Sequence, residues 1–159
     1  MVNMEVSMRT VHSLVEVNVD VTTAYNQWTQ FESFPQFMDH VVSVTPQGPS
    51  RSHWVMKLAG ATREFDTEVT EQIPDQVIAW KSTNDSGAHS GRVTFEPWGP
   101  AETRVDIRLG WEPVGLLEKT EAALNFDQHQ VEKTAANFKE FIESRGRETS
   151  PSRGESTNR

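Results

Sequence analysis

Cysteine is absent from the 159-residue chain, which excludes disulfides, thiolate metal sites and a cysteine nucleophile, and fits a reducing, cytoplasmic setting. Basic residues are scarce: 15 Lys and Arg against 23 Asp and Glu give a formal charge of −8. Contact with a nucleic-acid backbone or an anionic lipid surface draws on Lys and Arg, so nucleic acid is not an expected partner. No apolar run approaches the ~20 residues needed to cross a bilayer. Residues 1–20, MVNMEVSMRTVHSLVEVNVD, mix charged and polar side chains where a secretory leader would be basic and then apolar. A soluble single domain without a membrane span is therefore expected, long enough to bury roughly 68 to 70% of its unfolded surface around one core.

Apolar side chains are also missing from residues 145–159, RGRETSPSRGESTNR. Such a segment gains too little from burial to offset its ordering entropy, so 147–159 is expected to be a disordered polar tail. Setting aside 145–159, with four Arg and two Glu, leaves 11 basic and 21 acidic residues, a formal charge of −10 on the folded part. Residues 1–10 read as an N-terminal extension and 11–146 as one domain.

What the chain does contain is valine and other apolar residues at alternate positions, the period of a half-buried strand. Thr103, Val105, Ile107, Leu109 and Trp111 share one face while Arg104, Asp106 and Arg108 share the other. The pattern recurs with Phe65 and Val69 against Glu64, Asp66 and Glu68, with Val93 and Phe95 against Arg92, Thr94 and Glu96, and with Val15, Val17 and Val19 near the start. Short turn signals such as Gln47-Gly48-Pro49-Ser50, Ile73-Pro74-Asp75-Gln76 and Pro97-Trp98-Gly99-Pro100 separate these runs, which favours antiparallel hairpins. Strands over 41–46, 51–59, 62–73, 77–83, 88–97 and 102–112 form a six-stranded meander after the first strand. Their length implies a twisted, curved sheet.

Helical signals occur in two places. Ala24 and Trp28 lie four apart in Val21 to Thr29, and Ser33-Phe34-Pro35-Gln36 has the spacing of a capping box opening a one-turn helix. Near the C-terminus, Asn125-Phe126-Asp127-Gln128 offers an N-cap with Gln at the third helical position, and Gly146 is a stop signal. Leu124, Val131, Ala135, Phe138 and Ile142 form one stripe, with Phe141 beside it, and such a stripe must pack on the concave face of the sheet.

Strand, two short helices, six-stranded meander and long terminal helix make an α+β plan of the helix-grip type. The stretches AYNQWTQFESFPQFM, EFDTEVTEQIPDQVIAWKS, HSGRVTFEP and FKEFIESRGRET resemble the START-like SRPBCC superfamily, and more narrowly the bacterial polyketide cyclase/dehydrase-like proteins near the coenzyme Q-binding START-domain proteins. The resemblance implies a START/Bet v 1-like fold: a curved seven-stranded antiparallel sheet with the C-terminal helix across its concave face. It also implies an elongated apolar cavity between helix and sheet, suited to a flat or long hydrophobic ligand.

This sequence supplies walls for such a cavity in Trp54, Met56, Phe65, Trp80, Phe95 and Trp111 from strands, with Phe34, Phe37 and Met38 as a rim and Leu117, Leu124 and Gln128 from the C-terminal region. Each aromatic taken singly reads first as ordinary core packing, and the fold resemblance favours a cavity role for only a subset of them. Polar side chains on the inward face are sharper leads, because a buried polar group needs a partner and a ligand can be one. Alternation places Arg63, Thr67, Ser82 and His89 inward. Structural roles stand beside the ligand role: Arg63 reaching water at a strand end, His89 following a turn, Gln128 completing a capping box.

Signatures of other chemistries are missing. His12, His40, His53, His89 and His129 have no metal-ligand spacing, so no metal and no cofactor is expected. Gly87-Ala88-His89-Ser90-Gly91 has its Ser fourth rather than third and leads along a strand, unlike a nucleophile elbow. Glu64 and Asp66 fall on a solvent face. The expected function is binding of a hydrophobic small molecule, a polyketide, quinone or lipid, for sequestration or delivery. An alternative is a polyketide cyclase/dehydrase of the aromatase type, in which Arg63 and His89 would stabilise an enolate and move a proton. A ligand-independent protein-interaction domain is a third, and the oligomeric state is left open.

Overall fold

The computed structural model describes residues 9–58, 61–83, 89–111 and 121–146. Seven strands, β1 (Arg9–Val17), β2 (Val41–Pro46), β3 (Arg51–Leu58), β4 (Ala61–Ile73), β5 (Val77–Ser82), β6 (His89–Gly99) and β7 (Glu102–Trp111), form one antiparallel sheet in the order β1-β7-β6-β5-β4-β3-β2. The meander and its inward and outward faces match the alternation of the sequence. Bulges at Val41/Ser43, Val69/Glu71 and Pro97/Gly99 bend the strands and curl the sheet.

Helix α1 (Val21–Trp28) follows β1, and Asp20 is its N-cap, accepting from Thr23 N and from Thr23 Oγ1. The next helix differs from the capping-box expectation. It is a 3₁₀ helix, Phe31–Gln36, in which Ser33 lies inside, donating to Gln30 O at 2.6 Å and accepting from Gln27 Nε2 at 2.8 Å. The cause is the spacing of Phe31, Phe34 and Phe37. Three residues per turn puts all three rings on one side, and all three are buried.

Helix α2 (Glu121–Arg145) lies along the concave side, with Val131, Ala135, Phe138 and Ile142 buried. It starts before Asn125, so the Asn125 cap is corrected: Asn125 and Gln128 are interior helix positions. Gly146 does end the helix, with φ 73° and its N–H on Ile142 O at 2.8 Å. Polar side chains of α2 cover the outer edge of β1, Gln128 donating to His12 O at 3.1 Å and Lys139 to Glu16 O at 2.8 Å. These bonds occupy two carbonyls of an edge strand that would otherwise be open.

Candidate functional site

One half of the interior is filled by rings. Trp28, Trp80 and Trp54 stack in sequence at centroid distances of 6.4 and 6.0 Å, and Phe65 stacks on Trp54 at 5.7 Å. Phe31 and Phe34 meet Trp54 and Trp80 edge-on or tilted, and Phe37 and Phe138 lean on Trp28. Of these rings none exceeds 4% exposure, and Phe31 also lines a small pocket with Thr29, Pro49, Ser52 and Ile78. Gly91 makes the Trp80 position available: a Cβ there would lie 2.1 Å from Trp80 Cζ2. The indole lies directly over the bare backbone of β6.

The expected rim at Phe34, Phe37 and Met38 is therefore closed. All three are buried, and α2 is tied over them. Asn137 Nδ2 donates to Phe37 O and to Asp39 Oδ1, both at 3.2 Å, and Lys133 pairs with Asp39 at 2.9 Å. Within this half Trp28 Nε1 is buried without a hydrogen-bond partner, a feature no sequence pattern signals.

The second half carries polar groups in register across three strands. Thr67, Ser82 and His89 occupy the inward face of β4, β5 and β6, as alternation places them, and all are buried. Trp54 Nε1 donates to Thr67 Oγ1 at 2.8 Å, and His89 N donates to Ser82 Oγ at 3.0 Å. Trp80 Nε1 donates to His89 Nε2 at 3.1 Å, while His89 Nδ1 lies 3.1 Å from Gly110 O. An indole N–H only donates, so Nε2 is the unprotonated nitrogen and Nδ1–H faces the carbonyl. Burial drives the His89 pKa down to about 3, only partly opposed by the bond to Gly110. The imidazole is neutral across the physiological range.

The other expected residues separate. Met56 is buried, and Arg63, its partner in the register, is half-buried on the same face. Phe95 is remote from the polar row and packs edge-on against Tyr25. Gln128 is turned to the edge of β1 and to Glu132 rather than to the interior. Leu117 and the side chains of Trp111 and Leu124 lie outside the described residues.

The convex face shows where Glu64 and Asp66 belong. His53 places Nδ1 2.7 Å from Asp66 Oδ1 and Nε2 3.0 Å from Glu64 Oε1. These bonds raise its pKa. No group of three metal-ligating side chains occurs among the described residues, and no helix among them is long and apolar enough to cross a membrane. The interior thus holds two hydroxyls and one neutral imidazole among closely packed rings.

Comparison with known proteins agrees with this architecture. The family model for polyketide cyclase/dehydrase and lipid transport matches residues 17–140. An uncharacterized 17.2 kDa protein of Streptomyces lincolnensis is 42% identical over 147 residues, covering 92% of this chain and 98% of its own. A START superfamily protein from Mycobacterium smegmatis superposes with a TM-score of 0.65 at 19% identity, covering 86% of this chain and 95% of its own. The Zhui aromatase/cyclase from Streptomyces sp. R1128 does so with a TM-score of 0.65 at 13% identity, over 87% and 93%.

Proposed function

This chain belongs to the polyketide cyclase/dehydrase and lipid transport family, and we propose on that premise that it binds a hydrophobic small molecule between the sheet and α2, sequestering or delivering it in the cytoplasm. The observation that carries the reading is the row of buried polar groups, Thr67, Ser82 and His89, set among aromatic walls on the concave face. A core built only for stability gains most from apolar side chains, whereas polar groups held among rings give a ligand its orientation. Met56, Arg63, Phe65 and Trp80 border this row, and Trp54 roofs it.

The aromatase-type enzyme fits less well. His89 has both ring nitrogens engaged and a pKa far below neutrality, so it is a poor proton carrier near pH 7. A net charge of −8 also argues against nucleic acid as the partner.

The test is titration of the purified protein with 1-anilinonaphthalene-8-sulfonate and with menadione. Saturable binding of either at about one molecule per chain is expected, with Trp80→Ala weakening it more than the surface change Arg108→Ala. Absence of saturable binding of both probes would reject the ligand-binding function.

A further inference from the structure

Trp28, Trp54 and Trp80 keep at most 1% of their surface open, whereas Trp98, near the end of β6, keeps 47%. Its ring lies on the convex side of the sheet over Arg104, whose neighbours Thr103 and Val105 are buried on the other side. The Arg104 guanidinium sits 4.0 Å from the ring centroid and pairs with Glu16 on β1 at 3.3 Å. One arginine is thus already held between an indole and a carboxylate, a cation–π arrangement. Two further carboxylates flank the ring. Glu96 is the register partner of Arg104, and Glu102 that of Gly99, the residue after Trp98. Both are exposed, and among the described residues neither carboxylate has a hydrogen-bond or ion-pair partner. The turns carrying Asp20 and Asp75 border the same hairpin, since Thr103 Oγ1 donates to Val19 O and Phe95 N to Gln76 O.

We propose that Trp98, Glu96 and Glu102 form a docking surface for an arginine-bearing basic segment of a partner protein. The surroundings select that chemistry. A guanidinium is planar with donors along its edge, so it stacks on an indole while bonding carboxylates, as Arg104 does, and an ammonium does this less well. Tryptophan and arginine are also the side chains on which protein contacts concentrate their energy. The carboxylates around the hairpin repel a phosphate or an anionic lipid. A second copy of the chain has no arginine to offer, because each one whose side chain is described is already engaged. This surface lies across the sheet from the aromatic interior and does not depend on the ligand-binding function above.

The test is titration of the isotope-labelled full chain with the peptide acetyl-Gly-Arg-Arg-Gly-amide, followed in proton–nitrogen correlation spectra, with norleucine in place of both arginines as the control. Trp98→Phe identifies the Trp98 indole signal. Saturable shifts of that signal and of the backbone of 96–102 are expected with the arginine peptide and not with the norleucine one, and a lysine peptide should bind more weakly. Changing both exposed carboxylates, Glu96→Gln with Glu102→Gln, should weaken arginine-peptide binding about tenfold, the scale of two surface ion pairs. No shift at Trp98, equal shifts with the norleucine peptide, or undiminished binding in the double variant overturns the proposal. A Trp98 signal that moves without peptide when Arg147, Arg153 and Arg159 are changed to Gln also overturns it, because the occupant is then the chain's own end. So does binding to phosphatidylcholine vesicles that Trp98→Ala abolishes, which makes the surface a lipid contact.

Discussion

The two halves of the concave face are built from the same sheet and are equally buried, yet they treat polar atoms in opposite ways. In the aromatic half, rings from α1, the 3₁₀ helix, β3, β5 and α2 interlock, and Trp28 Nε1 is sealed in without a partner. Along the polar row, His89 has both ring nitrogens partnered within 3.1 Å, and the Trp54 and Trp80 indoles that reach it from the aromatic half donate to Thr67 and His89. Burial alone therefore does not distinguish the two halves. What distinguishes the two is the hydrogen-bonding state of their polar atoms, unpaired at Trp28 Nε1 and paired at Trp54, Trp80 and His89.

The strongest way to break this division is to truncate the aromatic half. Trp28→Ala removes a ring touching Trp80, Phe34, Phe37 and Phe138, and a loss of about 3 to 5 kcal/mol in urea unfolding is expected. A loss below about 1 kcal/mol would mean that this half is not the core. Next comes the joint between the halves. Gly91→Ala must displace Trp80 and with it the bond to His89, costing about 3 kcal/mol and shifting tryptophan emission. An unchanged spectrum would place the indole elsewhere.

The smallest effects come from pH and set a buried histidine against an exposed one. His89 has a folded pKa of about 3, below its ordinary 6.5. The unfolded chain therefore takes up the proton first, and stability present above pH 6.5 is lost as pH falls toward 3, by at most about 1.4 kcal/mol per unit. His53, with its raised pKa between Asp66 and Glu64, works the other way. Its contribution is complete below pH 6.5 and lost as pH rises through the folded value. Screening at this partly exposed site holds it under about 1 kcal/mol. Unfolding curves from pH 5 to 9 should lose their acid slope in His89→Gln and their alkaline slope in His53→Gln. Unaltered slopes in either variant would remove that residue from the linkage.

Much of this was legible along the chain. Alternation assigned the faces of Thr67, Ser82 and His89 correctly, because a strand's period of two is local and survives any tertiary arrangement. The Asp20 cap of α1 was missed, although an acidic residue before a helical run is its signal. The 3₁₀ helix was misread because the polar spacing of Ser33 and Gln36 competes with the three-residue spacing of Phe31, Phe34 and Phe37, and burial of three rings outweighs one cap. Gln128 was misread for a related reason: its partner, the carbonyl of His12, is 116 residues away.

Four alternating strand patterns, the turns that separate the strands and a long terminal helix with an apolar stripe were determined by the amino-acid order alone, since each depends on neighbours a few positions apart. Which inward side chains plug the interior, and which present a donor to it, was decided only in three dimensions. That choice turns on register between strands: the Trp54 indole reaches Thr67 and the Trp80 indole reaches His89 across Gly91 because β3 to β6 align those rows, and periodicity within one strand carries no information about its alignment with the next.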